Sequence, residues 1–456
     1  MVRRNARVAR WSALLASASL AFAACGSPGG TGTPAVTDDG AGGGAGTSPP
    51  ATSPDMSPDM SPSGDVQGGT VSVIGTWGGD EQEAFLAMVE PFETETGIDV
   101  QYTGTRDLNA VLTTGVASGI LPDLAGLPGP GQMAEFARGG ALIDLSTVLD
   151  VETYESETAP AFVELGTVDD MLAGVFIKSA VKGLIWYNPE VYTGDAPATW
   201  EDLQAVATDP AEARWCVGLE SGAASGWPGT DWIEDFVLRQ SGPEVYDAWV
   251  AGEQAWTSPE IRQAFEAFGE VVSEESTFGG TNYVLTTNFG DAGNELFTDP
   301  PGCLFHHQAS FITSFFVDQG GAEEGQFDFF PFPDVNPEYS GSLTGAGDLF
   351  GMFNDTPQAR ALIQYLVTPE AQQIWVDRGG ALSGNTLVTE YPDEISQRSA
   401  ELLVNAEIFR FDASDLMPEQ MNNAFWTALL AYTPNPGNLA AILANLDTVQ
   451  ESAYEE

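Results

Sequence analysis

The 456-residue chain carries 66 Asp and Glu against 15 Lys and Arg, a formal net charge of −51. A surface this acidic repels nucleic-acid phosphates and anionic lipid head groups, which excludes nucleic-acid binding. Only 18% of residues are charged and 43% are hydrophobic, so large cores are within reach, and the length predicts two or more domains.

At the N-terminus, Arg3, Arg4, Arg7 and Arg10 precede an apolar stretch from Trp11 to Phe22 that is too short to span a bilayer. Ala23-Ala24 and Cys25 follow, and residues 1–24 read as a secretory signal peptide. A cysteine at the cleavage point resembles the lipobox of bacterial lipoproteins, whose thiol is acylated, although Phe22 stands where those proteins prefer Leu. An ordinary signal peptide with a chance cysteine is the competing reading. Residues 26–68 contain no aromatic residue, Lys or Arg and include the tandem SPDM-SPDM at 53–60, so 25–68 is expected to be a flexible, lipid-anchored linker. No later apolar run approaches the roughly 20 residues of a membrane span, which excludes an integral transporter. With Cys25 lipidated, Cys216 and Cys303 remain as an even pair in an exported chain. A disulfide between them would close a loop of roughly 88 residues, worth about 4–5 kcal/mol, the alternative being two buried thiols. The histidines, His306 and His307, are adjacent and offer no tetrahedral spacing, so no metal is expected.

Folded sequence starts near Gly69 with the β-branched run Thr70–Ile74. A helix follows with Phe85, Met88, Val89 and Phe92 on one face, stopped by Gly97. A strand over 98–102, a helix over 108–117, a strand over 123–127 and a helix from Gln132 continue the alternation. This spacing predicts βαβ units and a parallel sheet, whose ligands bind beyond the carboxyl ends of the strands. The loops 77–80, 105–107 and 128–132 should therefore share a cleft. Thr356-Pro357 and Thr368-Pro369 are N-cap and first-turn pairs for two later helices.

The segments GTWGGDEQEAFLAMVEPFETETGIDVQY, LPDL, GGALIDLS, LIWYNPEVY and PATWEDL resemble the extracellular solute-binding proteins of carbohydrate ABC transporters, of the maltose and alpha-glucoside type. TPQARALIQYLVTPEAQQIWVDRGGAL is similar to that family's paired C-terminal helices, and LMPEQMNNAFWTALL to the helix bearing its sugar-stacking Trp. The resemblance runs through nearly all of 69–456. It implies an α/β, two-lobed periplasmic-binding-protein-like fold of type II, with discontinuous lobes joined by a multi-strand hinge. Residues 69–180 with 340–385 would form the first lobe, and 181–339 with 386–456 the second. It further implies a monomeric sugar-binding receptor with no cofactor, at the extracellular face of the cell membrane or in the periplasm. Two permease subunits and their ATPase would be its partners.

A sugar site needs aromatic platforms and a few polar groups in a concave cleft. Trp77 and Asp80 lie in a Gly-flanked loop, Trp77 being ligand platform or core. Trp227 and Trp232 bracket a turn, where Asp231 either contacts ligand or caps the following helix. By resemblance Trp426 is the stacking Trp, and Phe311 stands where relatives often carry Trp. Arg106 reaches the cleft or pairs with Asp107, and Gln132 opens the third helix. Lys182 shares one face of an extended hinge segment with Lys178, whose role stays open. Asp348 ends the Gly-rich stretch 345–348, expected as a loop; without a Lys-Ser/Thr sequel it binds no phosphate. Of His306 and His307, alternating along a strand, one should face inward. No catalytic motif emerges, although a glycosidase carboxylate pair could hide among 66 acids. A receptor for a polyamine or another polar solute ranks second.

Overall fold

The structure, a computed structural model, describes residues 66–207, 215–323 and 325–455. The signal segment, Cys25 and the linker up to residue 65 lie outside the described residues. Twelve strands appear among the described residues: β1 Thr70–Gly75, β2 Asp99–Gly104, β3 Leu124–Leu127, β4 Thr167–Val168, β5 Met171–Leu172, β6 Val175–Val181, β7 Leu184–Tyr187, β8 Trp215–Cys216, β9 Phe305–Gln308, β10 Asp328–Pro331, β11 Ser342–Met352 and β12 Ile408–Phe411.

Local rules explain the first units. The helix Asp80–Thr96 buries Ala84, Phe85, Met88, Val89 and Phe92 on one side and ends at Gly97, whose φ of 68° is left-handed. Thr356 and Thr368 accept hydrogen bonds from the amides of Ala359 and Ala371 and so cap the helices Pro357–Leu366 and Pro369–Arg378.

The larger sheet runs β12-β11-β3-β1-β2, with β6 also paired to β11. As expected from the βαβ spacing, β1 is parallel to β2 and β3. The sheet is not wholly parallel, because β11 runs antiparallel to both β3 and β6. It enters from the other half of the molecule and not through a crossover helix. The smaller sheet, β10-β7-β9-β8, is antiparallel except for the β8–β9 pair. Two of the large cores flank the larger sheet, a third, rich in Trp and Phe, covers one face of the smaller sheet, and a fourth covers its other face.

Strands pass between the sheets at a small number of places. Only Lys182 and Gly183 separate β6 in one sheet from β7 in the other. Gly183 has φ +68°, and a Cβ there would lie 2.5 Å from Asp235 Oδ2, so no side chain fits this crossing. The chain returns between β10 and β11, and β12 pairs with β11 in the larger sheet. Cys216 and Cys303 form a disulfide beside β8 and β9, with Cα atoms 5.6 Å apart. Among the described residues no helix is long and apolar enough to cross a membrane.

Three local expectations are corrected. The stretch 345–348 is not a loop but part of β11, where small residues let the chain pass close to Phe176 and Phe409. His306 and His307 are both buried, because both faces of the smaller sheet are covered. Asp231 does not cap a helix: the helix starts at Trp227, with Gly226 at the N-cap position, and Asp231 lies inside it.

Candidate functional site

A cleft of about 240 Å³ opens where the two sheets' halves meet. Trp77, Arg106, Lys182, Trp227, Phe311, Asp348 and Trp426 all line it. Asp231 stands one layer behind, bonded to Lys182. Asp80 and Gln132 are not part of the lining: Asp80 starts its helix beside Asp318, and Gln132 is buried in the helix Pro130–Arg138.

The aromatic walls differ in character. Trp77 is 2% exposed, packed against Phe85, Tyr102, Phe350 and an edge of Trp375 at 4.8 Å. It is part of the first core and shows the cleft only a margin. Trp227 and Trp426 are half-buried and keep ring surface for a ligand. Gly226, at φ +112°, brings them together, since a Cβ there would lie 2.5 Å from the Trp426 carbonyl. Phe289 and Phe311 extend the platform, with Phe289 5.0 Å from Trp227. Arg106 lies 5.1 Å over the Phe289 ring and 3.9 Å from Glu81, and does not pair with Asp107.

Two buried lysines organise the polar groups. Lys178 Nζ donates to Glu81 at 2.6 Å and lies 3.5 Å from Asp348, its register partner on β11. Burial alone would raise Glu81, but Lys178 and Arg106 outweigh it and hold its carboxyl below the usual range. Asp348, for which burial prevails, is raised. Lys182 Nζ donates to Asp231 at 2.8 Å and to Asp412. Burial opposes its charge, yet these two carboxylates keep its pKa well above the ordinary value. Asp412 in turn accepts from Ser414 Oγ at 2.8 Å and from the Asp415 amide at 2.9 Å. Glu234 accepts from the amides of Ala413 and Ser414. Burial pushes Asp231 up to about 7 and raises Glu234 and Asp415 well above their ordinary values, whereas Lys182 holds Asp412 below its own.

Behind the cleft, Asp235 joins both halves through His307 Nε2 at 2.7 Å, Thr344 Oγ1 at 2.7 Å and Arg239. His306 Nδ1 meets the Cys216 carbonyl at 2.9 Å, and burial depresses its pKa to about 4. Both histidines are therefore structural, and neither lines the cleft.

Several lining residues escaped the sequence reading: Glu81, Phe289, Asp412, Ser414, Asp415, and Glu419 and Asn423, which complete a helical trio with the expected Trp426. The trio's spacing of four and three residues puts it on one helical face, a signal the sequence did contain. Asp412 and Phe289 carried no local signal.

Comparison with known proteins gives a consistent picture. The sequence model of the bacterial extracellular solute-binding protein family matches residues 78–373. The osmoprotective compounds-binding protein GgtB of Synechocystis sp. is 38% identical over 380 residues, 81% of this chain and 90% of its own. The alpha-glucosides-binding periplasmic protein AglE of Rhizobium meliloti is 34% identical over 385 residues, 81% of this chain and 84% of its own. Among solved structures, a chitin oligosaccharide binding protein superposes with a TM-score of 0.74 at 17% identity, over 85% of this chain and 100% of that one.

Proposed function

The chain belongs to the bacterial extracellular solute-binding proteins, receptors of ABC importers with the two-lobed type II fold, and on that premise we propose that it captures a neutral sugar or glycoside. The family is one of binding proteins and not of enzymes. The observation that carries the sugar reading is the pair of half-buried indoles, Trp227 and Trp426, lining a cleft rimmed by carboxyl groups. Indole faces cover the C–H faces of a sugar ring, and carboxyl groups accept from its hydroxyls. Asp415, whose carboxyl pKa burial raises well above its ordinary value, belongs to that rim.

A cleft of about 240 Å³ lies below the roughly 300–1,000 Å³ of drug-sized sites, which favours one or two rings over a long oligosaccharide. The relatives' names, alpha-glucosides and osmoprotective compounds, support a small glycoside. The lobes are proposed as 69–180 with 340–385 and 181–339 with 386–456, with β12 reaching back to the first sheet. We also propose acylation of Cys25, so that the receptor is held at the outer face of the membrane; Cys25→Ala should then release it into the medium or periplasm.

A thermal-shift screen against mono- and disaccharides tests the reading. A true ligand at 100 times its dissociation constant should add about 2.7 kcal/mol of stability. Stabilisation by polyamines and by no saccharide would overturn it. That second reading has one observation in its favour, the excess of carboxyl groups over cations in the lining.

A further inference from the structure

The surroundings of Lys178 are those of a site for an organic cation. Its ammonium is held by Glu81 and Asp348, and it lies 5.0 Å from the Trp375 ring centroid, 5.6 Å from Phe311 and 6.0 Å from Trp77. Carboxylates combined with aromatic faces within about 6 Å are how proteins recognise alkyl and quaternary ammonium groups. The parts come from separate segments: Glu81 from the first turn of one helix, Asp348 from β11, Trp375 from the helix Pro369–Arg378 and Phe311 from the segment after β9. Lys178 itself is 4% exposed, so the enclosure is filled from inside the chain.

We propose that Lys178 is a specificity-determining residue: its ammonium occupies an aromatic and carboxylate enclosure that would otherwise admit an organic cation, so ammonium solutes are refused. The cleft is left to neutral polyhydroxyl solutes. An ammonium has three N–H donors, and two carboxylates engage it here, which leaves one N–H for a ligand hydroxyl. The choice of solute rests on the sugar reading above; the filling of the enclosure does not.

The test measures binding of n-propylammonium and tetramethylammonium chloride by calorimetry and thermal shift, with KCl at matched ionic strength as reference and no sugar present. The parent chain should bind neither. Lys178→Ala should empty the enclosure and bind propylammonium at least about tenfold more tightly than the parent does. Lys178→Met, whose stem still fills the space, should bind neither and should not be stabilised by either salt. If Lys178→Ala is unfolded by itself, refolding in propylammonium but not in KCl supports the proposal. Equal binding by parent and Lys178→Ala, or a Lys178→Ala protein indifferent to propylammonium, overturns it. Once a saccharide is known, its affinity for Lys178→Ala should fall and be restored by propylammonium. If the ammonium results come out as expected while no saccharide binds the parent, the sugar reading fails and the assignment of Lys178 stands.

Discussion

Lys178 and Lys182, the only lysines in the sequence, are four residues apart, both buried, both in the cleft wall, and yet differently balanced. Lys178 meets two carboxylates, and Arg106 stands near one of them. Lys182 meets Asp231 and Asp412 with Glu234 and Asp415 close behind, more acid than one cation can compensate. A buried group that lacks a counter-charge takes up a proton instead of staying ionised. That is why Glu81 stays low, whereas Asp231 rises to about 7 and Glu234 and Asp415 rise well above their ordinary values. The first surroundings set one lysine and an arginine against two carboxylates; the second set one lysine among four carboxyl groups, of which Asp412 is the one held low.

The largest effect should separate the two lysines directly. Lys182→Met leaves Asp412 and Asp231 buried without their cation and should cost about 3–5 kcal/mol in urea unfolding. Lys178→Met should cost about half as much or less, since the Asp348 side chain is 17% exposed and Arg106 remains 3.9 Å from Glu81. Equal losses would break the comparison.

The aromatic walls sharpen it. Trp77→Ala, emptying a core position, should lower stability by about 3–5 kcal/mol. Trp426→Ala should leave stability nearly unchanged and reduce saccharide affinity about thirty-fold, roughly 2 kcal/mol by calorimetry. A Trp77→Ala protein that is stable and merely binds less tightly would move that indole from core to platform.

A pH series addresses the proton count. Asp231 has a folded pKa of about 7 against an ordinary 3.8, so the folded state binds its proton more tightly. This contribution is present in full below about pH 4 and is lost as pH rises through 7. Asp231→Asn should therefore gain on the parent in melting temperature between pH 5 and pH 8. Parallel pH curves for the two proteins would show that Asp231 is ionised throughout. The smallest effect concerns the net charge of −51. Screening between 10 mM and 1 M NaCl, where the Debye length falls to about 3 Å, should raise the melting temperature by relieving repulsion at the surface. The gap between Lys182→Met and Lys178→Met should persist at high salt, because both clusters are buried.

How much could be read beforehand depends on how far apart the deciding residues lie. The stop at Gly97 and the caps at Thr356 and Thr368 are decided within about four residues, and sequence suffices for them. So does the strand and helix alternation before residue 140, since burial of one face imposes its period along the segment itself. The resemblance carried the fold and the place of Trp426 in the cleft wall, and the Cys pair followed from an even count in an exported chain. The antiparallel entry of β11, the burial of both histidines and the core role of Trp77 depend on what other segments lay against them. Trp77 is covered by Phe350 and Trp375, nearly three hundred positions downstream. Lys182 takes its partners from 49 and 230 residues away. Backbone propensity and capping are contests between neighbours in the chain, and the sequence by itself decides them. The charge state of a buried group is a contest between desolvation and whichever carboxylates the fold delivers, and only the tertiary structure decides that.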